Sequence, residues 1–388
     1  MIWINIVLFV AGLLMLIKGG DMFVDGASGV ARRFHLPELL IGATVVSIGT
    51  TLPEVMVSAQ GAMAGSGSMA YGNAIGSIIC NTALIAAITV TLKPAKTERK
   101  ALVLPVIFFF ASAAFYVFVA YFFGEFARWV GIVLLAIFVI YMVTVILRMK
   151  KGPASEIDGV VEESGEAHEE AEEENHPSVL TLIIEALVVF CGGGIMIYRG
   201  GVFRWIAVVM MAVFAVYAVL AIIRKATKAK PLGILNDLFF IVIGAGVIAG
   251  GANMLVDSGT VIAKEFGVPE TVIALTFVAL GTSLPELVTA ITSLLKGHGA
   301  LSLGNIIGAN LFNLVLVSGV STTISPFAVP SESQLMGMPM SFVVDIPVML
   351  AVMLILTVPT LITKKLSRVQ GIALLCIYAA FCVVQFVI

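Results

Sequence analysis

The stretch GTTLPE at residues 49–54 returns as GTSLPE at 281–286, and each copy lies inside an apolar run long enough to cross a bilayer. Proline and glutamate are both poor choices for such a run. Proline lacks the N–H for its own helical hydrogen bond, and its ring crowds the carbonyl four residues back. A charge at the bilayer centre costs about 2.5–3.5 kcal/mol even on insertion scales. The same costly pair, used twice in the same order, points to a site rather than to packing.

Around these motifs the composition sets the class. Of 388 residues, 60% are hydrophobic and 12% charged, with a mean hydropathy of +1.10. A hydrocarbon core of about 30 Å needs about 20 apolar residues per helix, and lipid supplies no partners for stray backbone groups, so the spans must be helices. Twelve stretches qualify, near 2–30, 38–64, 69–91, 101–123, 127–148, 178–198, 203–223, 233–262, 270–296, 301–323, 343–363 and 369–388. The expected fold is therefore an all-α polytopic membrane protein with about twelve transmembrane helices and no large soluble domain. The first run continues from Ile2 past Lys18 to Gly19 and Gly20 without a cleavage pattern, so it reads as a membrane helix rather than a signal peptide.

Basic loops stay cytoplasmic. With the N-terminus outside, Arg32, Arg33, Lys93, Lys96, Arg99, Lys100, Arg148, Lys150, Lys151, Arg224, Lys225, Lys228, Lys230, Lys296, Lys364, Lys365 and Arg368 fall inside, against Arg128, Arg199, Arg204 and Lys264 outside. Both termini are expected to be extracytoplasmic, in a prokaryotic cell (inner) membrane. Cys80, Cys191, Cys376 and Cys382 lie in spans without metal-ligand spacing and read as small apolar residues.

A shift of 232 residues carries Glu54 onto Glu286 and superimposes three helices without a gap. Gly12 meets Gly244 and Asp25 meets Asp257; Thr44, Gly49, Thr50, Leu52 and Pro53 meet Thr276, Gly281, Thr282, Leu284 and Pro285; Gly72, Asn73, Gly76 and Asn81 meet Gly304, Asn305, Gly308 and Asn313. Seven helices precede the second copy, so the halves run in opposite directions. Inverted repeats that meet near the midplane are a hallmark of secondary transporters. The domains expected are a first inverted repeat of five helices at 1–148 (motif 42–85) and an acidic cytoplasmic loop at 149–177. An extra transmembrane hairpin at 178–223 and a second repeat of five helices at 233–388 (motif 274–317) follow. The hairpin resembles its predecessor, Arg128-Trp129 through Arg148 matching Arg204-Trp205 through Arg224, and is expected to be peripheral. The acidic loop has too few apolar residues to order itself.

The motif residues are suited to binding a cation. Pro53 and Pro285 are expected to bend or break their helices and free the carbonyls of Gly49 and Gly281. Thr50 and Glu54 share a helix face, as do Thr282 and Glu286. Ser77 and Asn81, with Asn73 one turn earlier, form a polar stripe on the next span, where Asn73, Asn305 and Ser77 read equally as interhelical hydrogen bonders. Gly72, Gly76, Gly304 and Gly308 form small-xxx-small pairs that let backbones approach. All side-chain donors are oxygens, which suits hard cations such as Ca²⁺; transition metals favour histidine or thiolate, and His35, His168, His176 and His298 all map to loops. Two unpaired carboxylates resist crossing the membrane, whereas Ca²⁺, two or more Na⁺, or two protons neutralise both. That is exchanger logic.

At these motifs the chain resembles the calcium/cation antiporter superfamily, and within it the prokaryotic sodium/calcium exchangers, whose paired repeats read much like GTTLPE followed by GNAIGSIICN. The resemblance covers about 1–148 and 233–388. It implies exchange of cytoplasmic Ca²⁺ for external Na⁺ by alternating access, through sliding of the first helix of each half. It implies Glu54 and Glu286 as central Ca²⁺ ligands shared with Na⁺, Thr50 and Thr282 as ligands through hydroxyl or carbonyl, and Thr51, Ser283 and Ser77 as Na⁺ ligands. Ser47 and Ala279 would offer backbone carbonyls to outer Na⁺ sites, and Asn81 and Asn313 would complete the centre. Two positions depart: Ala309 stands where the partner of Ser77 should be, and Asn313 where several relatives carry aspartate. The first weakens one Na⁺ site; the second disfavours K⁺ co-transport. Proton coupling is the alternative, disfavoured by GNAIG and GNIIG, which lack the acid that cation/proton members often carry. A channel would use similar oxygens. An enzyme is not expected, because no nucleophile-base or metal constellation occurs. Nothing in the chain calls for a cofactor, nucleic acid or a partner chain; its partners are Ca²⁺, Na⁺ and the lipid bilayer.

Overall fold

Apolar runs of this length hydrogen bond internally, and the computed structural model shows them as helices. It describes residues 2–34, 37–63, 65, 67–94, 97, 99–151, 185, 189, 194, 201–226, 233–265, 281, 283–331, 334–335 and 337–387. In chain order the helices are α1 (Ile2–Arg33), α2 (Glu38–Met63), α3 (67–92), α4 (Arg99–Phe123), α5 (Arg128–Lys151) and α6 (Gly201–Ala226). They continue with α7 (Ile234–Glu265), α8 (Leu284–Leu295), α9 (Gly299–Ile324), α10 (Ser341–Thr363) and α11 (Arg368–Val387). Among the described residues nine are long and apolar enough to cross a membrane, while α6 and α8 carry shorter apolar segments. The acidic loop, most of the span expected at 178–198 and the first part of the span expected at 270–296 lie outside the described residues.

The chain forms two compact units that cut across the sequence repeats. The first comprises residues 1–36 and 144–259. Here α1 and α7, each 32 residues long, meet along a glycine seam. A Cβ on Gly12 would lie 2.8 Å from the Gly251 carbonyl oxygen, and Gly19, Gly26 and Gly244 face Ile248, Ile241 and Phe23 as closely. At one end of the seam Arg33 Nε donates to Asp237 Oδ2 at 2.5 Å. Helix α6 packs on this pair: Met210, Phe214 and Tyr217 share a core with Met15, Met22, Phe239 and Val247. Tyr217 stacks on Phe239 with ring centroids 3.8 Å apart and donates to Asn236 Oδ1. Glu185 also belongs to this unit, within reach of the charges on Lys18 and Asp25.

The Arg33–Asp237 pair gives a stability prediction with a sign. The Asp237 side chain is 10% exposed and that of Arg33 38%, so losing the arginine strands a buried carboxylate, whereas losing the aspartate leaves a guanidinium that can reach water. Breaking a fully buried pair costs about 3–5 kcal/mol; partial exposure reduces this to about 1–3 kcal/mol. Arg33→Ala is expected to lower the thermal midpoint more than Asp237→Ala, as read by a detergent-solubilised melt.

The second unit, residues 37–143 and 260–388, carries both motif copies. Within it α2 and α9 cross at near backbone contact. A Cβ on Gly42 would lie 2.7 Å from the Asn305 nitrogen, Gly304 abuts the Leu39 carbonyl, and Gly308 abuts Ala43 and Ser47. Gly304 and Gly308 thus act as the small-residue pair expected. Gly72 and Gly76 meet nothing close among the described residues, and Thr271 and Leu275, which the 232-residue shift pairs with Leu39 and Ala43, lie outside them. A two-residue β pair, Glu125–Phe126 with Phe327–Ala328, ties the α4–α5 loop to the segment after α9.

Of the bend or break expected at Pro53, no break is found, while the Gly49 carbonyl still lacks the N–H that proline cannot supply. The α-helix runs without interruption over Ser47–Met63, and the irregularity falls upstream as a π-turn over Gly42–Val46. Proline removes one hydrogen bond from a helix, and packing of α2 against α3 and α9 holds the rest. In the second copy the interruption is present: Ser283 has φ −92° and ψ 4°, and α8 begins at Leu284 with Pro285 in its first turn, where the missing N–H costs nothing. Further π-turns begin at Asn81 and at Asn313, positions related by the repeat. Such widened turns disturb the regular carbonyl pattern and recur at functional sites.

Candidate functional site

Ser47, Thr50, Thr51 and Glu54 follow one another at helical spacing on α2, so their side chains share a face, and all four are buried. Glu286 lies in the first turn of α8 with Ser283 at its N-cap. Glu54 and Glu286 are both 0% exposed, and their carboxylates lie within electrostatic reach of one another. Neither closes a hydrogen bond of good geometry among the described residues. The hydroxyls of Thr50 and Thr51 lie beside the Glu286 carboxylate, and Ser283 neighbours Cys80 on α3.

Asparagines complete the surroundings. Asn81 and Asn313, each opening a π-turn, are fully buried, and neither amide closes a hydrogen bond among the described residues; the hydroxyls of Thr51 and Ser283 are buried as well and close none of good geometry there. Ser77 is buried on α3. Asn305 joins α9 to α2: its Oδ1 accepts from Thr50 Oγ1 at 3.1 Å and its carbonyl accepts from Ser47 Oγ at 2.9 Å. Asn73 joins α3 to α2, donating to Ser58 Oγ at 2.7 Å and to the Glu54 carbonyl at 3.1 Å. Both asparagines therefore bridge helices. Thr282 and Ala279 lie outside the described residues.

Two supports escaped the motif reading. Asn310 Nδ2 donates to Thr82 Oγ1 at 2.7 Å, pinning α9 to the π-turn that Asn81 opens. Its signal was available, since Asn310 is polar in an apolar run where the first copy has Ile78. Tyr141 on α5 donates to the Ala43 carbonyl at 3.0 Å, inside the π-turn of α2. That hydroxyl satisfies a backbone group within an irregular turn.

Buried polar groups without partners cost about 1–3 kcal/mol each, and more when charged. Two carboxylates, two amides and several hydroxyls in that state, gathered where α2, α3, α8 and α9 pack, form a set of oxygen donors short of a positive charge. A hard cation ligated by about 6–8 oxygens matches this donor set.

Likeness to known proteins gives the family. The sodium/calcium exchanger protein family matches residues 4–147 and 237–387 and leaves out the stretch between them. The chain is 29% identical to the sodium/calcium exchanger MaX1 of Methanosarcina acetivorans, with 100% of both chains covered. It is 30% identical to the inner membrane protein YrbG of Escherichia coli over 82% of this chain and 79% of that protein. Its fold is similar to a solved structure of the sodium-calcium exchanger NCX_Mj soaked with Na⁺ and Sr²⁺, with a TM-score of 0.68, 25% identity and 98% of each chain covered. The chain therefore belongs to the sodium/calcium exchanger family, whose members are membrane transporters of cations and not enzymes.

Proposed function

We propose that this protein exchanges cytoplasmic Ca²⁺ for external Na⁺ by alternating access, with both ions drawn to the oxygens around Glu54 and Glu286. The observation that carries this reading is the pair of fully buried carboxylates that close no hydrogen bond of good geometry among the described residues. Ca²⁺ binds between them, with Thr50, Thr282, Asn81 and Asn313 filling its shell. Na⁺ binds on either side, one ion using Glu54, Thr51 and the Ser47 carbonyl, the other Glu286, Ser283, Ser77 and the Ala279 carbonyl. Ions that share ligands exclude one another, and the empty site keeps a charge that resists crossing the membrane. Together these two effects make transport an exchange.

The test is flux in proteoliposomes under separately imposed Na⁺, K⁺ and proton gradients. Ca²⁺ moving uphill against an opposing Na⁺ gradient supports the reading and excludes a channel; Ca²⁺ flux that follows only the proton gradient replaces it with proton coupling. Thr50→Val tests the centre. The substitution keeps volume but removes the hydroxyl beside Glu286 that also bonds Asn305, and a hydrogen bond to a charged group is worth about 1.5–3 kcal/mol. The KM for Ca²⁺ is expected to rise about tenfold or more. An unchanged KM would remove Thr50 from the ligand set.

A further inference from the structure

The two halves place a serine differently. Under the repeat shift position 47 corresponds to 279 and position 77 to 309, and the chain reads Ser47 with Ala279 but Ser77 with Ala309. The first half carries a hydroxyl at both positions and the second half at neither. Because α2 crosses α9 beside Asn305 and Gly308, α2 offers a source for the hydroxyl missing at Ala309.

Ser47 is 0% exposed. Its Oγ lies 2.9 Å from the Asn305 carbonyl oxygen and 2.7 Å from that of Gly42, and it touches the place where Gly308 would carry a Cβ. Residues 305 and 309 belong to one continuous α-helical stretch, Gly299–Phe312. A helical serine characteristically bonds the carbonyl four residues back, so a serine at 309 would reach for the Asn305 carbonyl. That is the oxygen Ser47 already holds. A hydroxyl has one proton and two lone pairs; the proton serves one of the two carbonyls at a time and a lone pair stays open to a cation. From Ser47 the oxygens continue toward the carboxylates: Thr50 Oγ1 is 3.5 Å from the Ser47 carbonyl and 3.1 Å from Asn305 Oδ1, and lies beside Glu286.

We infer that the Ser47 hydroxyl is a Na⁺ ligand of the first-half site, supplied from α2 in place of the hydroxyl that Ala309 lacks. The inference rests on the exchange reading and alters one of its parts: Ser47 contributes its side chain and not its carbonyl alone. The site is thereby complete, with its hydroxyl carried by the opposite helix.

The experiment measures Na⁺-driven uptake of radiolabelled Ca²⁺ into proteoliposomes for the intact chain, Ser47→Ala, Ala309→Ser and the double exchange Ser47→Ala/Ala309→Ser. Ser47→Ala is expected to raise the half-saturating Na⁺ concentration about tenfold while the KM for Ca²⁺ stays within about twofold, and adding Ala309→Ser to Ser47→Ala is expected to restore it. In the intact background Ala309→Ser is expected to change Na⁺ dependence more than Ca²⁺ dependence, by a smaller factor than when it is combined with Ser47→Ala. Equal effects in both backgrounds, or no shift in Ser47→Ala, would overturn the inference. Ser47→Thr against Ser47→Val, matched in volume and differing in the hydroxyl, gives the same decision if the alanine variant does not fold; equal Na⁺ dependence in that pair counts against Ser47. Uptake by the intact chain that ignores the Na⁺ gradient would sink the exchange reading itself, whereas Na⁺-driven uptake indifferent to Ser47 sinks only this role.

Discussion

Replacing Glu286 or Glu54 with glutamine is expected to abolish Na⁺-driven Ca²⁺ uptake, by at least about a hundredfold, because a charge-assisted contact to a divalent ion is lost from a buried site. The folded protein should survive the change and gain from it. Each carboxylate is 0% exposed and closes no hydrogen bond of good geometry among the described residues, and the two lie within electrostatic reach of each other, so glutamine removes a poorly compensated buried charge at nearly constant volume. In ion-free buffer the variants should melt at or above the unmodified protein. Adding Ca²⁺ reverses the order, since a ligand at 100 times its Kd stabilises the protein that binds it by about 2.7 kcal/mol. A glutamine variant that melts lower without ions and still gains from Ca²⁺ would mean that the carboxylates are structural.

The second large effect concerns how closely α2 and α9 approach. Gly304 lies against the Leu39 carbonyl, a backbone atom that cannot swing aside. Overpacking a core costs about 1–3 kcal/mol, and with backbone on both sides the strain must move a whole helix. Because Asn305 bonds both Ser47 and Thr50, such a shift pulls on the face that carries Glu54. Gly304→Val is expected to cut Ca²⁺ uptake at least about tenfold and to lower the thermal midpoint by several degrees. Gly319→Ala on the same helix is the control. Its Cβ would meet Leu135 Cγ at 3.0 Å and the Gly131 carbonyl oxygen at 3.3 Å, looser contacts than those at Gly304 and mainly to a side chain that can adjust, so uptake should change less than about twofold. Similar losses in both variants would mean that the α2–α9 crossing has no special role.

What the sequence made legible follows from which signals are periodic. Long apolar runs specify helices through the bilayer's thickness, and helix starts at Arg99, Arg128 and Arg368 fall within a few residues of the expected positions. The gathering of Glu54 with Glu286 was legible because repetition of a costly pair carries information that a single acid lacks. The π-turns at Asn81 and Asn313 were not, since a widened turn leaves the residue pattern almost unaltered. At Pro53 a break was avoided through packing that no local rule contains, although the Gly49 carbonyl is still freed, while Pro285 followed the rule at a helix start. Glu185 has no counterpart in the repeat, because the 232-residue shift does not reach residues 178–223, although an acid in an apolar run is by itself a signal. The anchoring of α6 on α1 and α7 through Tyr217 and Phe239 depends on contacts between distant segments and had no sequence mark beyond the likeness of Tyr217 to Tyr141.

The most direct measurement is anomalous diffraction from crystals of the intact protein soaked in CaCl₂, read at a wavelength where calcium scatters and repeated after exchange into NaCl. The expected result is one calcium peak about 2.3–2.6 Å from carboxylate oxygens of both Glu54 and Glu286, lost when Na⁺ replaces Ca²⁺. A peak bound elsewhere, or a calcium that touches neither glutamate, would contradict the account.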